Sequence, residues 1–374
     1  MGALVCTVFS VRIRQALVPA VPVVGLVALL LTWGSSPSVL ASVALVALHV
    51  ALVLSAVSHA EAIARRVGEP YGTLVLALAV TVIEVALIVT LMVQGAPGTL
   101  ARDTVFAAVM IACNGVLGGA FLVNARRTHL VRFSAQGANA LLATLLTLVT
   151  ATMVVPTFDG GPGGTTPRAS HLFFAGVAAF VVYGVFVFVQ TGRHRWMFLS
   201  PDALEEESDD VSAHVSPHPA TSRLDLLSVR SLLLFVSLVG VVGLAKTLSS
   251  RVEDIVAAVG APPSFVGVVI AALVLLPESL AAFRSAARNE MQTSINLSLG
   301  SAIASIGLTV PAIAVASLWL DGPVVLGLGG AELALLVATA FVTVLSFGAG
   351  KATVLQATQH LALFATFCFL AATP

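Results

Sequence analysis

Charge is what this sequence has least of. Of 374 residues only 10% are charged and 58% are hydrophobic, and the mean hydropathy is +1.03. A water-soluble surface of this size needs far more charge, so a soluble protein is excluded and the lipid bilayer is the first partner implied. The 18 basic and 18 acidic residues cancel, which implies no nucleic-acid partner. The three cysteines, Cys6, Cys113 and Cys368, lie in apolar runs without metal-ligand spacing and read as small packing residues. H-E-x-x-H, G-x-S-x-G and a phosphate-binding glycine loop are all missing, so neither an enzyme nor a cofactor is expected.

What is present is a series of long apolar runs. Eleven are legible, at about 17–33, 39–64, 72–93, 104–124, 137–155, 170–190, 229–248, 264–286, 292–318, 324–346 and 353–371. Turn-like sequences such as "PTFDGGPGGTTPR" (156–168) and "DGP" (321–323) separate them. Arg12 and Arg14 precede the first run, which reads as an uncleaved helix. With the N-terminus inside, 14 Lys and Arg residues fall on the cytoplasmic side and 4 outside, which predicts N-in and C-out. The longest polar stretch, 192–228, is then cytoplasmic. It carries Asp202, Glu205, Glu206, Glu207, Asp209 and Asp210, and reads either as a solvated linker or as a cation-sensing, regulatory segment.

Two spans break the pattern. In "LALAVTVIEVALIVTLMV" (76–93), Glu84 is the only charge between Tyr71 and Ala101. In "FVGVVIAALVLLPESLAAF" (265–283), Glu278 is the only charge between Asp254 and Arg284. A carboxylate at the centre of a span costs about 2.5–3.5 kcal/mol on insertion scales, and neither span offers a base to pair with it. With the first span set aside, ten remain as two sets of five, and each glutamate falls in the second helix of its set. Five is odd, so the sets insert in opposite orientations, which is an inverted-repeat transporter. The expected domains are 1–38, a peripheral first helix; 39–191, the first repeat; 192–228, the acidic linker; and 229–374, the second repeat.

Pro277 beside Glu278 predicts a break or kink at membrane depth, whereas the helix of Glu84 should run more regularly. Glu84 and Glu278 are the expected cation- and proton-binding residues, and the expected metal ligands. Thr81, Asn114, Asn296, Ser301 and Ser305 are candidate auxiliary ligands, because amide and hydroxyl oxygens suit hard cations. Singly, each reads more readily as a packing residue; as a set beside two carboxylates they favour a site. His59, Glu61 and Glu69 cluster at a cytoplasmic mouth, as a proton relay or as ordinary interfacial groups. His49 and His360, inside spans, read as packed or hydrogen-bonded.

The stretches 58–89, "SHAEAIARRVGEPYGTLVLALAVTVIEVALIV", and 265–315, "FVGVVIAALVLLPESLAAFRSAARNEMQTSINLSLGSAIASIGLTVPAIAV", resemble the bacterial Cha-type cation/proton antiporters of the calcium:cation antiporter superfamily. The resemblance covers Val39 to the C-terminus. It implies an all-α polytopic membrane protein of eleven helices, one peripheral helix plus two inverted five-helix repeats. It also implies exchange of calcium, sodium or potassium for protons. In that resemblance Glu84 and Glu278 match the two repeat acids, Glu61 an acid at the end of the second helix, Asn114 a polar position of the fourth, and Ser301 the serine of a Gly-Ser pair in the ninth. Where the wider family has Gly-Asn before each acid, this chain has Val80–Thr81 and Val274–Leu275, so two amide oxygens are missing and sodium and potassium stand beside calcium.

The mechanism these features suggest is competition. Burial disfavours a charged carboxyl, so a proton or a cation must neutralise it before the carrier crosses. Two acids set two protons per divalent ion as the natural maximum. A cation channel is the alternative, and it requires no proton coupling. A homo-oligomer is left open by the sequence.

Overall fold

The computed structural model describes residues 20–34, 38–67, 71–128, 130–158, 169–192, 194–199, 223–258, 260, 262, 264–319 and 322–373. The helices are α1 (Ala20–Thr32), α2 (Val39–Val67), α3 (Tyr71–Val93), α4 (Leu100–Thr128), α5 (Ala135–Thr157), α6 (Ala169–Thr191), α7 (Arg223–Ala258), α8 (Phe265–Val274), α9 (Leu276–Ala287), α10 (Met291–Ala316), α11 (Gly330–Gly348) and α12 (Val354–Ala372). Among the described residues, eight helices are long and apolar enough to cross a bilayer, and the bent pair α8–α9 makes a ninth. Over the described side chains, α1 and the apolar part of α3, Leu78–Val93, are shorter than a full crossing. The protein is thus an almost entirely helical membrane protein. The exception among the described residues is a two-residue antiparallel ladder of β1 (Val131–Arg132) and β2 (Lys351–Ala352).

The chain divides into two compact units, residues 1–94 with 217–255, and 95–216 with 256–374. The first unit joins α1–α3 to α7. Small residues allow this. Leu52 of α2 fits against Gly25 of α1 and Gly240 of α7, and Leu29 of α1 against Gly243; a Cβ on any of these glycines would approach a leucine carbon to 3.1 Å or less. The Lys246 ammonium sits 5.2 Å from the centre of the Trp33 ring. The compact units therefore do not follow the expected repeat boundaries, because α7 packs with the first helices of the chain.

The second unit has two chemically distinct ends. At one, the Arg102 guanidinium pairs with Asp103 at 2.7 Å and donates to the Gly327 carbonyl, and the Leu328 amide donates to Thr157 Oγ1. At the other, Asn124 Nδ2 donates to the Ala286 carbonyl and to Asn289 Oδ1, both at 3.0 Å, and Arg127 donates to the Ala287 carbonyl. Asn289 takes the left-handed conformation at φ 67°, which asparagine tolerates and which this clamp secures. The ladder β1–β2 closes the same end. Among the described residues of this unit, Arg126, Arg127, Arg132, Arg195, Arg284, Arg288 and Lys351 lie at or near this second end, and Arg102 alone lies at the first.

The two ends decide how the bent pair is threaded. Gly267 of α8 packs on Asp103 at the Arg102 end, where its Cβ would meet backbone at 2.9 Å. Ala286 of α9 is bound by Asn124 at the opposite end. So α8–α9 crosses from end to end as one bent span and is not a re-entrant loop. The bend is 55°, and it follows from Pro277, which has no N–H to give and cannot extend a straight helix. In a variant with the three native cysteines replaced by alanine, Ser264→Cys and Arg288→Cys should react with an impermeant maleimide from opposite faces of the membrane. Labelling of both from one face would make the pair re-entrant.

Candidate ion-binding site

Glu84 lies thirteen residues into α3, far from either end of its helix, and is 2% exposed. The helix is regular throughout, as its lack of proline predicts. Because α2 and α3 are consecutive and joined at 68–70, residues equally far from the junction stand at one height at 1.5 Å per residue. Ser55 is then level with Glu84, and His59 is near the level of Thr81. All four side chains are buried, and none is isolated. Ser55 was not expected from sequence, because a lone serine in an apolar helix carries no signal there; only the pairing of heights singles it out. His59 is 1% exposed, with Nδ1 3.4 Å from Arg230 Nη1. It is therefore a buried group beside a base of α7. The Glu61 side chain, Glu69, and the acidic positions 202–210 lie outside the described residues.

In the second unit α4 and α8–α9 run in the same direction. Gly267 meets Asp103, Gly119 meets Phe283, and Asn124 meets Ala286, so the pairing keeps an offset of about 164 residues over the full length. By that offset Glu278 stands at the height of Asn114. Both helices are irregular there. Residues Ile111–Val116 of α4 form a π-helical turn, a feature that frees backbone groups and frequents functional sites. Leu275 breaks α8 from α9, placing Glu278 in the first turn of a new helix, where the amide dipoles face a carboxylate favourably and offset part of the cost of its charge. Glu278 Oε2 is buried.

A third element reaches the same height. Ser294, Ser298, Ser301, Ser305 and Thr309 recur at three- and four-residue spacing, so they share one face of α10. Ser298 Oγ donates to the Ala112 carbonyl inside the π-helical turn at 2.7 Å. Beside Ser301, Gly300 borders open space, with no atom within 4 Å of where its Cβ would lie. Ser305 is buried and Ser301 half-buried.

The two remaining candidates are engaged elsewhere. Asn296 donates to the Phe198 carbonyl at 2.6 Å and accepts from Gln292, so its amide holds the short turn Arg195–Phe198 at the basic end. Asn114 donates to Thr339 Oγ1 of α11 at 2.9 Å, and its Oδ1 lies 3.4 Å from His360 Nδ1 of α12. His360 is thus hydrogen-bonded, as expected. Thr339 was missed, since a threonine in an apolar span has no pattern to mark it.

Among the described residues no cluster of three or more His, Cys, Asp and Glu side chains could hold a metal ion. The arrangement offers instead one carboxylate per unit, each level with hydroxyl oxygens and, in the second unit, with loosened backbone. Such oxygen donors suit hard cations.

Residues 37–192 and 230–373 match the family described as sodium/calcium exchanger protein. The chain belongs to that family. It is 42% identical to the "Putative ionic transporter y4hA" of Sinorhizobium fredii over 86% of each chain. It is 34% identical to the sodium-potassium/proton antiporter ChaA of Escherichia coli over 92% of this chain and 93% of that one. In fold it resembles the solved H+/Ca2+ exchanger CAX, with a TM-score of 0.71 over 96% of this chain and 88% of the other at 14% identity. Native YfkE gives 0.69 over 96% and 99% at 17% identity. The family consists of transporters, in keeping with the absence of hydrolase motifs from the sequence.

Removing the Ser298 hydroxyl takes one of two donors from the Ala112 carbonyl, which keeps the Leu117 amide. Ser298→Ala should lower stability by about 0.5–1.5 kcal/mol in a detergent-solubilised thermal or denaturant melt. Unchanged stability would show that the π-helical turn does not depend on α10.

Proposed function

We propose that this membrane transporter is a secondary antiporter that exchanges calcium, sodium or potassium for protons across the cytoplasmic membrane, with Glu84 and Glu278 as its ion-binding pair. The observation that carries the reading is one mid-span carboxylate in each unit, Glu84 buried and Glu278 half-buried with its Oε2 buried, in a chain of the sodium/calcium exchanger family. The sodium-potassium/proton antiport named for the Escherichia coli relative, and the H+/Ca2+ exchange named for the CAX fold relative, support the three cations and the proton as the exchanged species. Two inverted five-helix repeats after a peripheral first helix, 39–191 and 229–374, would give each carboxylate an equivalent place. The basic end of the second unit would face the cytoplasm, with the N-terminus inside and the C-terminus outside.

The chemistry follows from the cost of charge in hydrocarbon. An ionised carboxylate with no counter-ion resists passage through the closed midpoint of the cycle. A proton removes the charge and a cation balances it, so either lets the carrier move and the empty carrier stays. Hydroxyls of Thr81 in the first unit, and of Ser301 and Ser305 in the second, would offer further oxygens to a cation beside backbone carbonyls. The missing amide oxygens at Val80–Thr81 and Val274–Leu275 weaken selection for calcium over sodium and potassium. The acidic segment 202–210 would modulate exchange from the cytoplasmic side.

Glu84→Gln and Glu278→Gln keep the size and one carbonyl oxygen but fix the site as neutral. Each should abolish cation-driven proton movement, read as internal pH in proteoliposomes given calcium, sodium or potassium chloride, while folding is unharmed. Glu→Asp at either position should keep coupling and raise the half-saturating cation concentration. Near-normal exchange by Glu84→Gln would make that carboxyl a structural hydrogen-bonding group. Deleting 202–210 should leave exchange in place and change its dependence on cytoplasmic calcium; complete loss of exchange by a folded deletion protein would contradict a modulatory role.

A further inference from the structure

We infer that His360 is a positioning residue of the ion-binding site, acting through Asn114 to hold the π-helical turn of α4 at the height of Glu278; this rests on the exchange reading above. The imidazole is fully buried and forms the centre of a closed chain of hydrogen bonds across three helices. Asn114 Nδ2 donates to Thr339 Oγ1 at 2.9 Å, which leaves Asn114 Oδ1 as the face turned to the ring. Oδ1 can only accept, so His360 Nδ1 carries the hydrogen and donates to it at 3.4 Å. Nε2 is then the acceptor, and Ser346 Oγ of α11 donates to it at 3.1 Å. Thr339 Oγ1 completes the chain by reaching Met110 Sδ, one residue before the turn, at 3.7 Å.

This chain has a mechanical consequence. A π-helical turn contains one residue more than the α-helical ladder accommodates, and it persists only where its neighbours hold it. Here Ser298 holds one side through the Ala112 carbonyl, and His360 and Thr339 hold the other through Asn114 and Met110. Glycines bring α12 close enough to do so. A Cβ on Gly118 would lie 2.8 Å from His360 Cβ, and one on Gly115 would lie 3.2 Å from the Phe364 ring. The residues fixed by this contact include Asn114, which stands level with Glu278 on the neighbouring helix. His360 itself touches no part of Glu278 in this account, and its effect passes entirely through the turn.

The two ring nitrogens can be separated by substitution. An asparagine at 360 places an amide near the position of Nδ1 and keeps a donor to Asn114. A glutamine places its amide near Nε2 and keeps the link to Ser346 only. In proteoliposomes driven with calcium, sodium or potassium chloride, His360→Gln should raise the half-saturating cation concentration about ten-fold with a near-normal maximal rate. His360→Asn should stay close to wild type, and His360→Gln added to Asn114→Ala should raise half-saturation no further than Asn114→Ala alone. A purely structural histidine would instead give lower melting temperatures for both variants at unchanged half-saturation. That result, or equal weakening by Asn and Gln, overturns the inference. Failure of the exchange reading would show separately, as wild-type vesicles in which none of the three cations moves protons.

Discussion

The constraint on which everything else depends is that hydrocarbon satisfies no polar group. Each backbone carbonyl and amide inside the bilayer must find a partner in the protein, and each charge must be balanced or neutralised there. Most of this chain meets the constraint by avoidance, with apolar helices and serine or threonine hydroxyls that bond back to the carbonyl one turn earlier, as Thr104 and Thr343 do. Several exceptions gather at one level of the second unit. The π-helical turn at Ile111–Val116, the break at Leu275, Glu278 and the serine face of α10 come together there, and most residues of that turn are buried; a second π-helical turn, Thr150–Val154, lies in α5.

Irregular helices at depth are costly, and the structure shows what holds them. Ser298 caps a carbonyl from one side, the His360–Asn114–Thr339 chain braces the turn from another, and the clamp of Asn124 and Arg127 on residues 286–289 anchors the base of α9. The clamp lies outside the apolar layer, where charge is cheap. There Arg288 pairs with Glu290, and the neighbouring guanidinium holds the Glu290 carboxyl below its usual range. Rigid ends and a polar, less regular middle are what a carrier requires if it is to hold an ion without letting its helices come apart.

Much of this was legible in the sequence, for physical reasons. Apolar runs of bilayer length report helices directly, and a lone glutamate in such a run stands out because its cost is high. Pro277 announced the bend in α8–α9. Other features carried no such signature. The π-helical turn depends on what surrounds "IACNGV", and nothing in those six letters separates it from ordinary helix. Ser55 and Thr339 are single hydroxyl residues, given meaning only by the heights of neighbouring helices. Asn296 looked like an ion ligand because amides suit cations, yet its bond to the Phe198 carbonyl spans 98 residues of sequence and could not be read from spacing. The association of α7 with α1–α3 was likewise hidden, since Gly240 and Gly243 declare close packing but not a partner.

The central claim is that Glu84 and Glu278 are mid-span carboxyls that take a proton or a cation in alternation. The most direct measurement is carbodiimide modification followed by peptide mass spectrometry, because the reagent enters apolar surroundings and attacks the protonated carboxyl. The account predicts that both residues are modified at low pH, and that millimolar amounts of a transported cation, or a rise in pH, protect both together. Modification that is indifferent to cation and pH, or protection of one residue without the other, would contradict it.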